Sequence, residues 1–310
     1  MSVIEVKDLT KDYGFGRGVF DVSFSINKDE VFGFLGPNGA GKSTTIRHLM
    51  GFSKPDKGET LIFEKPTFDR YYEILSHVGY IPGEIALPQG LTGWEFLKMM
   101  QDMQGIHNEE RLNMLLKLFE LDNISLKGET KRMSLGVKRK LAIVAAFMSD
   151  PEVLILDEPT SGLDPVMQEV FIEFIKGEKA KGKTILLSSH IFSEVDATCD
   201  RIAIIKDGRV VSEFIANDLK HSKDKFYKLV FEDKKTFETF CKDNKKSNCL
   251  NIVISDKANN SVTISTRDEK INMVIDDLAK YNLKEFTNIK ETLEDYFMKF
   301  YKEDKDFGGV

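Results

Sequence analysis

The sequence has 310 residues, of which 41% are hydrophobic, and a formal net charge of −6. This length suits two domains or one large domain with an appendage, and the acidic balance disfavours broad binding to nucleic acid or anionic lipid. No apolar run approaches the roughly 18 residues that span a bilayer, and the N-terminus lacks the basic start of a signal peptide. The three cysteines have no metal-ligand spacing, which favours a reduced cytosolic compartment.

The first elements are predicted strands that lead into a glycine-rich loop. Residues 3–7 and 19–26 alternate apolar and polar side chains, as half-buried antiparallel strands do. An apolar run at 30–35 predicts a buried strand, and residues 44–50 predict a helix that ends at Gly51. Between them the pattern GxxxxGK[ST] is filled at every fixed position, within Gly36, Pro37, Asn38, Gly39, Ala40, Gly41, Lys42, Ser43 and Thr44.

Strand, glycine-rich turn and helix, in this order, are the context that a phosphate-binding loop requires. The glycines let backbone N–H groups converge on one point, where the helix start adds a positive dipole. Lys42 can then place a charge on the β- and γ-phosphates of a nucleotide, and the Ser43 hydroxyl can ligate Mg²⁺. The alternative is a glycine-rich turn that binds nothing.

A helical region follows a short strand predicted at 78–81. The pattern is helical from 91 to 121, and Thr92 with Glu95 resembles a capping box. One apolar face is formed by Leu112, Leu115, Leu116 and Phe119. We expect residues of about 84–150 to form a helical subdomain.

The second half alternates strands and helices. A fully apolar strand at 153–157 is followed by Asp164-Pro165, an N-cap with proline at the first helical position. Further strands are predicted at 184–187, 201–205 and 209–211, with a helix after the first of these. Strands separated by helices imply a mainly parallel sheet with helices on both faces, and therefore an α/β fold.

The composition changes near residue 220. Residues 221–224 are polar and form a plausible linker, after which the pattern is strand, helix, strand, strand, helix, strand. That order predicts a small α+β domain of the ferredoxin-like kind, closed by an amphipathic helix over about 291–303. The predicted organisation is a nucleotide-binding domain over 1–220 and an accessory domain over 221–310.

Four further segments carry chemistry beyond phosphate binding. Asp157 ends an apolar strand and can hold Mg²⁺, usually through water, and Glu158 can polarise a water for in-line attack on a γ-phosphate. The other segments are Ser-x-Gly within 133–137, Ser-Gly-Leu-Asp at 161–164, and a lone His190 after the next strand.

In this order, the motifs resemble the ATP-binding cassette of ABC proteins over about residues 1–220. The resemblance implies an ABC-type P-loop ATPase domain, with a mainly parallel sheet, an antiparallel β subdomain and a helical subdomain. It implies that Tyr13 stacks on adenine, where the alternative is a packing tyrosine at a strand end. It also implies that His190 contacts the γ-phosphate and holds the attacking water, where the alternative is a helix-capping histidine.

The resemblance assigns the remaining roles in hydrolysis. Lys42 and the loop amides would cradle the phosphates of ATP, Ser43 and Asp157 would hold Mg²⁺, and Glu158 would be the general base. Three further residues would act across a dimer of two cassettes. Ser134 and Gly136 would contact the γ-phosphate of ATP bound to the opposite copy, and Asp164 would lie at the dimer seam.

Two features depart from the family pattern. The signature is commonly Leu-Ser-Gly-Gly-Gln, whereas here Leu135 replaces the first glycine and Val137 replaces the glutamine. The family also has a glutamine where this chain has Gly83 followed by Glu84. Either Glu84 or Gln89 could reach the metal in its place, or neither touches nucleotide.

The function implied is an ATP-hydrolysing subunit of an ABC transporter, an exporter, at the cytoplasmic face of the membrane. It would form a homodimer and drive a separate permease, with no nucleic acid as partner. The permease would contact the helical stretch 92–121 and the loop 82–91, with Trp94, Phe96 or Leu87 as candidates. The alternative is that these side chains belong to the buried core, and for Phe96 this is the favoured interpretation. The sequence at 291–297 resembles the tail helix of bacterial drug exporters. The alternatives are a soluble ABC ATPase acting on ribosomes or nucleic acid, and a regulator that binds ATP without turnover.

Overall fold

The computed structural model describes residues 1–220, 224–244, 249–289 and 292–302. The chain divides into two compact units, Met1–Ala216 and Asn217–Val310. Each unit has a buried apolar cluster of its own. Among the described residues, no helix is both long and apolar enough to cross a membrane.

Strands and helices alternate through most of the first unit. The strands are β1 (Ser2–Asp12), β2 (Gly18–Asn27), β3 (Val31–Leu35), β4 (Lys57–Ile62), β5 (Lys65–Pro66), β6 (Val78–Ile81), β7 (Val153–Asp157), β8 (Thr184–Ser189), β9 (Arg201–Lys206) and β10 (Arg209–Ile215). The helices are α1 (Lys42–Leu49), α2 (Thr67–Ile74), α3 (Gly93–Gln104), α4 (Glu109–Leu118), α5 (Asn123–Lys127), α6 (Leu135–Phe147), α7 (Pro165–Ala180) and α8 (Phe192–Thr198).

The first unit contains two sheets. β2, β1, β4 and β5 form an antiparallel sheet in this order. The second sheet has the order β10-β9-β3-β8-β7-β6, and its strands are parallel except for the hairpin of β9 and β10. The strands β3, β7 and β8 are buried along their whole length, which accounts for their unbroken apolar sequences. The predicted α/β architecture, with an antiparallel β part, is confirmed.

The core of the first unit joins the two sheets to the helix after the phosphate loop. Phe24 of β2 packs against Phe32 and Phe34 of β3, with ring centroids 5.1 and 5.2 Å apart. Ile46 and Leu49 of α1 belong to the same buried cluster. The loop between β3 and α1 is therefore attached at both ends to buried elements.

The helical stretch predicted at 91–121 consists of two helices, α3 and α4. α3 begins with the predicted capping box, in which the Glu95 amide donates to Thr92 Oγ1 at 3.2 Å and the Thr92 amide donates to Glu95 Oε2 at 2.7 Å. α3 ends at Gly105, which has a φ of 66°. The apolar face predicted on the second helix is buried, with its members Leu112, Leu115, Leu116 and Phe119.

All three side chains predicted to contact a permease are partly or wholly covered. Phe96 is only 6% exposed, so the buried-core interpretation favoured for this residue is confirmed, and it does not offer a contact surface. Trp94 is half-buried, and its indole nitrogen donates to Asn123 Oδ1 at 2.9 Å. Leu87 is also half-buried.

The second unit has the element order predicted for it. After α9 (Ala216–Lys220), its elements are β11 (Asp224–Phe231), α10 (Lys234–Asp243), β12 (Asn251–Asp256), β13 (Ser261–Arg267), α11 (Ile271–Leu278), β14 (Leu283–Ile289) and α12 (Leu293–Lys302). The strands form an antiparallel sheet in the order β12-β13-β11-β14. This order is the arrangement that a ferredoxin-like βαββαβ chain gives. Its core includes Phe231, Phe237 and Phe240.

The predicted linker at 221–224 was wrong at its last residue. Asp224 is the first residue of β11, because the strand continues its pairing with β13 as far as Arg267. Residues 221–223 lie outside the described residues, as do the predicted ends of the closing helix at 291 and 303. The proposed domain boundary at 220 stays a prediction.

Candidate active site

The candidate active site lies where parallel strands of the second sheet end. β3, β8 and β7 are neighbours that run in one direction, so their carboxyl ends meet at the same edge. β3 leads into the phosphate loop, β7 ends at Asp157 just before Glu158, and β8 ends just before His190. The register pairs Asp157 with Ser188. The sheet therefore brings together residues that are far apart in the sequence.

The phosphate loop is folded around the Lys42 side chain. Lys42 Nζ donates to the carbonyl oxygens of Gly36 at 2.7 Å and Pro37 at 3.2 Å, and the residue is 4% exposed. Gly41 has a φ of 112°, and a Cβ there would lie 2.8 Å from Val19 Cγ1. Only glycine lets the loop close against the neighbouring strand at this point. Helix α1 begins at the next residue, slightly earlier than predicted.

Glu158 contacts both Lys42 and His190. Its Oε1 atom lies 3.2 Å from Lys42 Nζ and 3.3 Å from His190 Nδ1. Burial raises the pKa of Glu158, but Lys42 and then His190 lower it more, so the pKa lies below its ordinary value. The carboxylate is therefore ionised at neutral pH, the state in which it can accept a proton from water. His190 is 47% exposed, so the cluster reaches solvent.

Asp157 is buried beside Ser188 and Gly83. Its Oδ1 atom accepts a hydrogen bond from Ser188 Oγ at 2.5 Å, and a Cβ on Gly83 would lie 3.0 Å from Oδ2. Our sequence prediction noted Ser188 in the segment that ends at His190 but assigned it no role in the site. Ser43, the other predicted metal ligand, is exposed at the start of α1.

A second layer of polar contacts supports the loop that carries His190. Ser189 Oγ donates to Glu194 Oε2 at 2.6 Å and accepts a hydrogen bond from the Ile191 amide at 2.9 Å. Burial raises the pKa of Glu194 to about 7, although hydrogen bonds from Ser189 and Thr160 act in the opposite direction. No sequence motif marks Glu194, because its position in α8 becomes informative only when its burial is known.

A cavity of about 490 Å³ adjoins the phosphate loop. Tyr13, predicted to stack on adenine, lines it and is half exposed. Arg17 and Asp207 line the same cavity and were missed from sequence. Asp207 belongs to the hairpin turn between β9 and β10, and the Gly208 amide of this turn donates to the Ala40 carbonyl at 2.9 Å. The other lining residues are Gly16, Gly18, Gly39, Gly41, Thr44 and Gly208.

Ser134, Gly136 and Asp164 form a second cluster at the starts of two helices. The Val137 amide donates to Ser134 Oγ at 3.3 Å, so Ser134 is the N-cap of α6. Asp164 is the N-cap of α7 and accepts from the Met167 amide at 3.0 Å. The helix starts touch, since a Cβ on Gly136 would lie 3.2 Å from the Gly162 carbonyl oxygen. These three residues are not among the described residues that line the cavity beside Tyr13.

At the position of the family glutamine this chain has Gly83, which has no side chain. Gly83 faces Asp157 Oδ2, whereas Glu84 and Gln89 have exposed side chains. Substitution of either residue for the missing glutamine stays a prediction.

Comparison with known proteins places the chain in a family. The family described as ABC transporter matches residues 19–161. The uncharacterised ABC transporter ATP-binding protein YhcH of Bacillus subtilis is 32% identical over 308 residues, which is 98% of each chain. The bacitracin transport ATP-binding protein BcrA of Bacillus licheniformis is 36% identical over 237 residues, covering 75% of this chain and 76% of its own.

Two solved structures share the fold of the first unit. An ATP-binding subunit of an ABC transporter superposes with a TM-score of 0.65 and 35% identity, over 71% of this chain and 92% of its own. The ATP-binding cassette MJ0796, a dimer in a post-hydrolysis state bound to ADP and Pi, superposes with a TM-score of 0.62 and 26% identity, over 69% of this chain and 98% of its own. The predicted family, fold and ATPase function are confirmed, and the chain belongs to the ABC transporter family as an ATP-binding, ATP-hydrolysing subunit.

Proposed function

We propose that the chain powers an exporter by hydrolysing Mg-ATP as a head-to-tail homodimer that drives a separate membrane permease. The observation that carries this proposal is the division of the site into two clusters within one chain. One contains Lys42, Glu158 and His190, and the other contains Ser134 and Asp164. The first cluster can bind a triphosphate and activate water, and the second can complete the site of another copy.

The first cluster supplies the groups for in-line hydrolysis. Tyr13 stacks on adenine in the cavity beside the phosphate loop. The loop amides and Lys42 bind the phosphates, because the curled backbone presents N–H groups and the lysine presents a charge. Glu158 accepts the proton of the attacking water, and His190 orients that water beside the γ-phosphate.

The predicted ligands Ser43 and Asp157 fit Mg²⁺. They offer a hydroxyl and a carboxylate, the oxygen donors that this cation prefers. A Cβ on Gly83 would lie 3.0 Å from Asp157 Oδ2, so the glycine lets the loop backbone approach this carboxylate closely. When bound, Mg²⁺ supplies charge neutralisation at the β- and γ-phosphates.

The second cluster suits the γ-phosphate of a nucleotide on another copy. Ser134 is exposed and begins α6, a helix of 13 residues whose N-terminus presents amides and a positive dipole end. Gly136, the second residue of α6, leaves the backbone of the first turn without a side chain, and Asp164 begins the adjoining helix. ATP held between two copies would then stabilise the dimer, and hydrolysis would release it.

The names of relatives support the exporter assignment. BcrA is described as a bacitracin transport ATP-binding protein, and another relative, 36% identical over 212 residues, is described as a Nod factor export ATP-binding protein of Sinorhizobium fredii. Export would require a permease on another chain, which would hold this subunit at the cytoplasmic face of the membrane. The transported molecule would be selected by that permease.

Phosphate release by the purified chain tests this proposal. Wild-type protein should hydrolyse Mg-ATP, and Glu158→Gln should lose almost all turnover while keeping ATP affinity, because the amide cannot accept the proton of the attacking water. Turnover at the wild-type rate in Glu158→Gln would contradict the assignment. Purification of a tagged chain from detergent-solubilised membranes should also recover an integral membrane protein, and its absence would count against the separate permease.

A further inference from the structure

Arg139 is a fully buried arginine that connects three segments around the active site. It lies near the start of α6 and is 2% exposed. Its Nη1 atom donates to the Pro82 carbonyl oxygen at 2.9 Å, and its Nη2 atom donates to the Gly83 carbonyl oxygen at 2.7 Å. Its Nε atom donates to the Ser161 carbonyl oxygen at 2.9 Å. One side chain thus joins the helix that begins at the second cluster, the loop after β6 and the turn after Glu158.

The guanidinium group suits this position better than any other side chain. It is planar and can direct several N–H groups at fixed angles, whereas a lysine ammonium on a flexible stem cannot hold three carbonyl groups in this geometry. Burial lowers the pKa of Arg139, and the charges of Asp157 and Glu158 raise it. The two site carboxylates therefore help to stabilise the buried cation.

The contact with Ser161 restrains the turn that carries Glu158. Glu158 has a φ of 47°, a left-handed conformation that non-glycine residues adopt only when the surrounding structure holds them in it. The Ser161 amide donates to the Glu158 carbonyl at 3.1 Å and closes this turn. Arg139 binds the carbonyl of the same Ser161. Displacement of Arg139 would therefore move Ser161, the residue whose amide closes the turn that contains Glu158.

Through its contacts with Pro82 and Gly83, Arg139 also restrains the loop after β6, which adjoins the site. A Cβ on Gly83 would lie 3.0 Å from Asp157 Oδ2, so this backbone lies directly against the carboxylate predicted to hold Mg²⁺. Arg139 binds the carbonyl oxygen of the same glycine. The buried arginine thus restrains the backbone next to both Asp157 and Glu158. It is not one of the groups proposed to touch nucleotide.

We propose that Arg139 is a positioning residue that couples the two ATP sites of the dimer. This inference rests on the proposed function, in which Ser134 contacts the ATP of the opposite copy while Glu158 acts on the ATP of its own. A shift of α6 when Ser134 engages the partner's γ-phosphate is transmitted through Arg139 to the turn that carries Glu158. Each site then becomes competent only when the other has closed.

The dependence of phosphate release on ATP concentration tests the coupling. Wild-type protein should show a Hill coefficient above 1, the signature of two coupled sites. Arg139→Lys keeps the charge but loses most of the carbonyl contacts, so it should lower kcat by about 10-fold or more and bring the Hill coefficient to about 1. ATP affinity, measured by calorimetry with Glu158→Gln present in both proteins, should stay within about two-fold.

Arg111→Lys is the matched control. Arg111 is also a buried arginine, and it donates to the Phe147 carbonyl at 2.7 Å and to Glu178 at 2.6 Å. Phe147 and Glu178 lie at the far ends of α6 and α7, away from the candidate site. This variant should lose stability but keep the wild-type kcat and Hill coefficient, whereas loss of cooperativity in Arg111→Lys would show that the effect reports only general destabilisation.

Gly83→Ala provides an independent variant that leaves Arg139 in place. The added methyl group would lie 3.0 Å from Asp157 Oδ2, so the loop or the carboxylate must shift. We expect a shift of the loop to disturb the Gly83 carbonyl that Arg139 binds, so that kcat and the Hill coefficient fall as in Arg139→Lys. If both variants keep a wild-type Hill coefficient, or if wild-type protein shows none above 1, the coupling role is overturned. Failure of the proposed function itself would appear separately, as undiminished turnover in Glu158→Gln.

Discussion

Lys42 and Glu158 neutralise each other in the structure, with Nζ and Oε1 3.2 Å apart. A triphosphate bound to the loop would draw the Lys42 charge towards its own oxygens. Lys42 is the largest of the influences that lower the pKa of Glu158. Nucleotide binding is therefore expected to raise this pKa from its lowered value, which makes Glu158 a stronger base when its substrate is present.

Glu194 gives a pH-dependent contribution to stability. Burial raises its pKa in the folded state to about 7, so the folded state binds a proton more tightly than the unfolded chain. The stabilising contribution is complete below the pKa of the unfolded chain and is lost as pH rises through about 7. Between about pH 5 and pH 8 the loss should reach roughly 2–3 kcal/mol.

Glu194→Gln isolates this contribution, because its amide can still accept the hydrogen bond from Ser189 but cannot ionise. The variant should lack the loss of stability that wild-type protein shows across this range. Urea unfolding can be followed through Trp94, the chain's one tryptophan. His48, whose pKa is lowered by burial, adds a slope of opposite sign in both proteins and cancels in the comparison. Identical pH slopes would contradict the account of Glu194.

At the scale of elements, local sequence patterns correctly predicted the helix starts and buried strands that depend on neighbouring residues. The capping box at Thr92, the N-cap at Asp164 and the apolar strand β7 depend on residues close together in the chain, and all are present. Arg139 and Glu194 could not be predicted in this way. Their roles depend on burial against segments that are distant in sequence.

Thr92→Ala should weaken helix α3 by about 1 kcal/mol, because the variant loses the side chain that accepts from the Glu95 amide. Thr92→Ser is the matched control, since serine keeps the hydroxyl. Urea unfolding monitored at Trp94, which lies in the first turn of this helix, measures the difference. Equal stability of the alanine and serine variants would show that the cap contributes nothing.

At the scale of the whole molecule, the sequence predicted the order of elements in the second unit and its ferredoxin-like kind, but not which residues of its strands pair. The sheet order β12-β13-β11-β14 depends on contacts between strands separated by helices. The mainly parallel sheet and the antiparallel β part of the first unit were both expected from the sequence, whereas the order of strands within each sheet became clear only from the structure. In contrast, the convergence of the phosphate loop, Glu158 and His190 follows from parallel strands, whose carboxyl ends share one edge.

The first unit should bind ATP without the second. Its core cluster and all predicted nucleotide-binding residues lie within Met1–Ala216, so a chain of residues 1–220 should fold cooperatively and keep ATP affinity. Calorimetric titration with ATP measures this, and Lys42→Ala in the same shortened chain is the control that should weaken binding. A truncated chain that is unfolded would refute the proposed independence of the two domains.

Assembly of the whole molecule is best tested by sedimentation velocity of Glu158→Gln with and without Mg-ATP. Ser134→Asp should keep the helix cap of α6 but place a negative charge against the partner's γ-phosphate, whereas Ser134→Asn keeps the cap without the charge. We predict that ATP converts Glu158→Gln from a species of 35.3 kDa to one of twice that mass. The double variant with Ser134→Asp should stay monomeric, whereas the double variant with Ser134→Asn should still form the dimer. The shared site would be contradicted if Glu158→Gln stayed monomeric with Mg-ATP. It would also be contradicted if the dimer still formed when Ser134→Asp was present.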